Sequence, residues 1–177
     1  MSNPAHTPAD AAYEKEDSYN LVEIWLRRDV TRWKAGAMAG ILAGLVALAF
    51  GGVLAAMGGK ELTYAVKLAA LPLYGPEALR IGMHVGAIAC GLIFFEVLSA
   101  VLGIVYAHFT GTTALAPLLG MGLAWGAFSW IFINNLFGPA VHDYMAAEVP
   151  RSCAFFFWMV HGITLTSVSA FDRMLRK

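Results

Sequence analysis

The chain has 177 residues, 59% of them hydrophobic and only 14% charged, with 12 lysines plus arginines against 12 aspartates plus glutamates. A water-facing domain carries about 25% charged residues, so this composition excludes an ordinary soluble domain, and the balanced charge points to no nucleic-acid partner. Cys90 and Cys153 occur in no spacing that suggests a disulfide framework or zinc, and both read as structural thiols.

Residues 1–18, MSNPAHTPADAAYEKEDS, are polar and lack periodicity, which predicts a disordered tail. They contain no apolar leader core, so membrane insertion is expected to begin with the first span. Over residues 19–34, Val22, Leu26, Val30 and Trp33 recur at helical spacing among basic side chains. That pattern predicts a short basic amphipathic juxtamembrane helix, with Trp25, Arg27, Arg28, Arg32, Trp33 and Lys34 at the membrane surface.

Four apolar blocks follow, at about 35–57, 78–108, 114–137 and 152–171. Each is near or above the roughly 20 residues that a helix needs to cross a bilayer. The expected fold is therefore all-α, with residues 35–177 forming a bundle of four transmembrane helices. Gly36, Gly40 and Gly44 in the first block, Gly82 and Gly86 in the second, and Gly122 and Gly126 in the third recur at four-residue spacing. Such spacing lets helix backbones approach closely in lipid, so these are the expected packing positions. The connection GGKELTYAVKLAALPLYGPE reads as a loop whose weakly amphipathic middle could form an interfacial helix. Each half of the chain then runs from a glycine-rich span through a proline-containing loop to a span with histidine near glycine, GMHVG and MVHG, the pattern of a duplicated two-helix hairpin.

Arg27, Arg28, Arg32 and Lys34 precede the first span, and Arg173, Arg176 and Lys177 follow the fourth, while the loops at the other end mix signs. The positive-inside rule then puts both termini in the cytoplasm.

Within GLIFFEVLSAVLGIVY, Glu96 falls near the middle of the second span, at the depth expected for His161 on the parallel fourth span. A contact between the two is predicted, with Ser99, Ser129 or Thr164 as further partners. One reading is a polar clasp that fixes helix register; the other is a proton relay or ligand site. His84, Asn134, Asn135, His142 and Asp143 are expected to form a second polar layer nearer the extracytoplasmic face. Their spacing matches no metal-ligand motif, so interfacial capping is expected there and no metal. His84 and His161 are offset by about one helical turn, which argues against paired haem ligands. No cofactor is expected, and no phosphate loop, catalytic triad or metalloprotease helix is present in the sequence.

From about Met83 to Ser167 the chain resembles the YagU-type family of bacterial inner-membrane proteins. The resemblance rests on a histidine opening one span, the glycine-rich LLGMGLAWGAFSWIF, the outer loop LFGPAVHDY and the final MVHG. It implies a four-span fold in a bacterial inner membrane, and no established reaction. The polar tail and the basic segment around Trp25 depart from the family pattern. The expected function is non-enzymatic: an accessory or structural subunit of a larger membrane complex, or a small oligomeric membrane module. Its partners would be the lipid bilayer and other membrane subunits or copies of itself. The alternative is a small transporter or proton-conducting protein using Glu96 and His161.

Overall fold

The computed structural model describes residues 28–138 and 149–177. The polar tail, residues 19–27 with Trp25 and Arg27, and the loop positions His142 and Asp143 lie outside the described residues. Among the described residues every regular element is helical. Four helices or helix pairs, of 28, 25, 23 and 25 residues, are long and apolar enough to cross a membrane, each exceeding the roughly 20 residues required.

Helix α1 spans Val30–Met57. Asp29 is extended, and its carboxylate accepts the Arg32 amide at 3.0 Å, which satisfies one of the donors left free at a helix start. The helix therefore begins at Val30, and Arg32, Trp33 and Lys34 belong to the first span rather than to a separate juxtamembrane helix. Helix α2, Tyr64–Tyr74, ends at Gly75, whose φ of 70° is open to glycine at little steric cost. A 3-10 turn follows at Pro76–Leu79, and α3 runs from Val85 to Phe109. The second span thus starts later than the expected residue 78, because Gly82 adopts a φ of 106° that breaks the helical path.

Helix α4 covers Leu115–Phe132 and passes into a π-helical turn, Ile133–Phe137. Helix α5, Arg151–Thr164, is joined through a 3-10 turn at Leu165–Ser167 to α6, Val168–Leu175. Thr164 and Thr166 donate to the Val160 and Ile163 carbonyls at 2.8 and 2.7 Å. Such back-bonding bends helices.

Two antiparallel hairpins result, α1 with α3 and α4 with α5, and α1 also packs on α5 and α6. Each hairpin closes at backbone distance through glycine. A Cβ on Gly36 would strike Gly103, and one on Gly40 would strike Ser99; likewise Gly122 faces Gly162, and Gly126 faces Trp158 and Met159. The adjoining face of α1 presents Ala35, Ala39 and Ala43 to Tyr106, Leu118, Leu165 and Val168. At the bundle end away from Asp29, here the distal end, Leu48, Ala69, Phe95, Ile133 and Trp158 form a second cluster. Bulky side chains such as Ile41, Leu45, Ile93, Val97 and Val101 point outward.

The middle of the first long connection is helical, as its weakly amphipathic pattern allowed, but α2 packs into the bundle. A Cβ on Gly91 would meet the Val66 backbone, and one on Gly52 would meet Leu62, so α2 is wedged against α1 and α3. Gly91 lies about 9 Å from the α3 midpoint at Val97, taking roughly 1.5 Å per residue. That is inside the ~15 Å half-thickness of a bilayer core.

Candidate functional site: a mid-membrane polar layer

Glu96 is carried by the middle of α3 and turns toward α1. A Cβ on Gly44 would fall 2.8 Å from each Glu96 carboxylate oxygen and 2.9 Å from the Ser99 hydroxyl, so the missing side chain of Gly44 is the space these groups occupy. His161 is fully buried on α5, edge-on to Phe95 of α3 at 6.5 Å and to Trp158 at 5.3 Å between ring centroids. The second and fourth spans therefore meet at this depth, but through Phe95. No hydrogen bond joins Glu96 to His161. Both Glu96 oxygens, both His161 ring nitrogens and the Ser99 and Ser129 hydroxyls are buried with no hydrogen-bond partner among the described residues. Thr164 is already spent on the Val160 carbonyl.

A buried polar group without a partner costs about 1–3 kcal/mol, and a carboxylate at bilayer depth costs more. Glu96 and Ser99 meet α1 at Gly44, His161 meets the neighbouring Phe95, and Ser129 on α4 is the fourth buried residue of this kind. The groups supply carboxyl, hydroxyl and imidazole chemistry, with no bonds among themselves to satisfy it.

The remaining expected positions are spread apart. His84 is half-buried at the start of α3 and makes no capping bond through its side chain. Asn134 and Asn135 donate at 3.1 Å to the Trp130 and Ile131 carbonyls one turn back on their own helix. Among the described residues no three His, Cys, Asp or Glu side chains converge in a way that would hold a metal ion. A Cβ placed on Gly82 would meet nothing within 4 Å, so this glycine is not a packing position, whereas Gly86 faces the Tyr74 hydroxyl. Arg28 and Lys34 are exposed, and Trp33 donates to His108 at 3.4 Å.

Arg32 is not a surface residue. It is 2% exposed, and its guanidinium reaches Asp172 at 3.1 Å and the Thr110 and Thr112 carbonyls at 2.8 and 3.1 Å. Arg176 adds bonds to Asp172 and Asp29. This cluster ties the start of the first span to the end of the fourth and to the α3–α4 connection. At the distal end Lys67 plays the matching part: 1% exposed, it bonds Glu61 and the Arg80 and Gly82 carbonyls, the latter two at 2.9 and 2.6 Å. Glu61 in turn accepts the Gly82 amide at 2.6 Å. Sequence reading missed Asp172 and Lys67 as partners. The one available signal was a charge set into or beside an apolar run, and their partners lie on other segments.

Four membrane-length apolar helices around a polar mid-depth layer define a multi-pass membrane protein. No protein-family model, curated protein or solved structure matches the chain.

Proposed function

We propose that the protein is a non-enzymatic membrane module, structural or accessory to a larger membrane assembly or to an assembly of its own copies. One observation carries this reading: α4 has small residues on two faces, and among the described residues only one of them is packed. Gly122 and Gly126 clamp α5, while Ala116, Gly120 and Ala124 recur at four-residue spacing on the outward side, all exposed, with nothing within 4 Å of a Cβ placed on Gly120. The outward faces of α1 and α3 instead present Ile, Leu and Val, which suit acyl chains. Small residues at this spacing favour close helix–helix contact, and lipid gains nothing from them. The YagU-type resemblance, the bacterial inner membrane and the cytoplasmic termini belong to the same proposal, supported by the placement of basic residues at the chain's two ends.

The test is mild-detergent purification of wild type and Gly120→Leu, with mass spectrometry and size analysis of what migrates with each. Wild type is expected to run as an oligomer or with other membrane subunits, and Gly120→Leu to lose that association while staying folded. A wild-type chain that runs alone, with neither self-association nor partners, removes the reading.

A second reading is favoured by the layer of Glu96, Ser99, Ser129 and His161: a small transporter or proton-conducting protein. Proteoliposome flux would then fall in Glu96→Gln and in His161→Ala. Unchanged flux in both variants excludes it.

A further inference from the structure

The distal half of the bundle contains an apolar cavity of about 370 Å³, bounded by α1, α2, α3, the π-helical turn and α5. Leu48, Leu68, Leu98, Phe157 and Trp158 line it, as does Asn134 of the π-helical turn. A volume in the lower part of the ~300–1,000 Å³ range of small-ligand sites suits one narrow guest. The lining favours an apolar guest, because a cavity of this kind stays dry.

Asn134 adds the polar feature. Ligand sites combine an apolar lining with a few polar groups that orient what they bind. Among the described residues the Asn134 side chain makes one hydrogen bond, from Nδ2 to the Trp130 carbonyl at 3.1 Å. That leaves an amide N–H and the amide oxygen, one donor and one acceptor, on a residue that lines the cavity. π-helical turns frequently occur at functional sites. The Lys60 ammonium, 4.8 Å from the Tyr64 ring centroid, is already engaged.

Depth selects the guest's polar group. Leu98 is next to the α3 midpoint at Val97, so the cavity begins at mid-bilayer. The third span, Leu115–Phe137, has its midpoint at Gly126. Asn134 lies about 12 Å beyond it, at roughly 1.5 Å per residue. That is within the ~15 Å half-thickness of the hydrocarbon, where a charged group is costly. A hydroxyl accepts and donates without charge, which matches the two groups that Asn134 offers.

We propose that this cavity binds an uncharged single-chain lipid alcohol, with the alkyl end near Leu98 and the hydroxyl bonded to the Asn134 amide. The site is separate from the association face and from the mid-membrane polar layer, since none of Gly120, Ala124, Glu96, Ser99, Ser129 or His161 lines it.

The test titrates the full chain in detergent with oleyl alcohol, oleyl methyl ether or oleate, read by native mass spectrometry. Wild type is expected to retain one oleyl alcohol per chain. It should hold the alcohol several-fold more tightly than the ether, which accepts but cannot donate, and than the charged oleate. Leu68→Trp, which fills the cavity from α2, should retain none, and Cys153→Trp fills it from α5 should the first variant fail to fold. Asn134→Leu should still take up the alcohol but bind alcohol and ether alike. Retention of the alcohol by a folded, filled variant overturns the proposal. So does equal binding of alcohol and ether by wild type, stronger binding of oleate than of the alcohol, or a preference that survives in Asn134→Leu.

Discussion

Lys67 shows why a buried charge on a short helix is not an anomaly. Residues 80–82 are non-helical backbone beside a membrane, where unsatisfied carbonyls and amides are costly. Lys67 and Glu61 together satisfy the Arg80 and Gly82 carbonyls and the Gly82 amide. The hydrogen bond from Lys67, with that from Gly82 second, holds the Glu61 carboxylate below the usual value of 4.5. The folded state therefore binds fewer protons than the unfolded state in the interval between the two values. The Glu61 contribution is complete above about pH 4.5 and is lost as pH falls through the lowered value. Thermal unfolding followed against pH should show a wild-type midpoint that drops on acidification through this range, and Glu61→Gln should lack that part of the drop. Parallel curves would remove the assignment. Glu96 makes the opposite case, since no bond is lost with it. Replacing an unpartnered buried polar group by an apolar one of similar shape is neutral or stabilising, so Glu96→Met is expected to leave the unfolding midpoint unchanged or raise it. A midpoint lowered as far as by a core truncation would reveal a partner for Glu96.

Between elements, the same device closes both hairpins. Two glycines four residues apart on the first helix, Gly36 with Gly40 and Gly122 with Gly126, meet one glycine on the second, Gly103 or Gly162. Direct contact leaves no room for a side chain, because the atom met is a backbone oxygen that moves only with its helix. Gly40→Leu and Gly162→Leu should therefore destabilise by at least the ~1–3 kcal/mol of overpacking, while Gly120→Leu should leave monomer stability within about 0.5 kcal/mol. Thermal melts of the three variants in one detergent check this. Equal losses at all three positions would mean that the glycines act through helix propensity rather than contact.

Across the whole molecule, the ends of the bundle are tied by ions and the middle is not. Arg32 and Asp172 are 140 residues apart in sequence, and their pair joins the first span to the last. Removing one partner of a buried pair costs about 3–5 kcal/mol, whereas replacing both by apolar groups is often neutral. Arg32→Met is thus expected to lower stability strongly, and Arg32→Met with Asp172→Leu to recover much of the loss. A double variant as unstable as the sum of the singles would show that the Thr110 and Thr112 carbonyls, rather than the pair, dominate. With both ends tied, the partnerless groups around Glu96 and the outward face of α4 at Gly120 are places, among the described residues, with unmet binding capacity.

The sequence by itself determined the class. Runs of apolar residues longer than a bilayer requires leave helices as the available way to satisfy their backbones, and four such runs, three of them with glycines at four-residue spacing, specify a packed bundle. Most span ends were legible to within a few residues; the first helix starts earlier than expected, at Val30, and the second later, where the left-handed φ of Gly82 is a tertiary choice that glycine merely permits. Depth was legible too: counting along the helices brings the levels of Glu96 and His161 together. Direction around the helix axis was not, and it decided that Glu96 faces Gly44 while Phe95 meets His161. Likewise no local pattern marks Arg32 for Asp172, or Lys67 for the carbonyls of Arg80 and Gly82, because each partner comes from a distant segment. Composition sets how much of a chain enters the membrane; only the rotation and approach of packed helices decide which polar groups find a partner there.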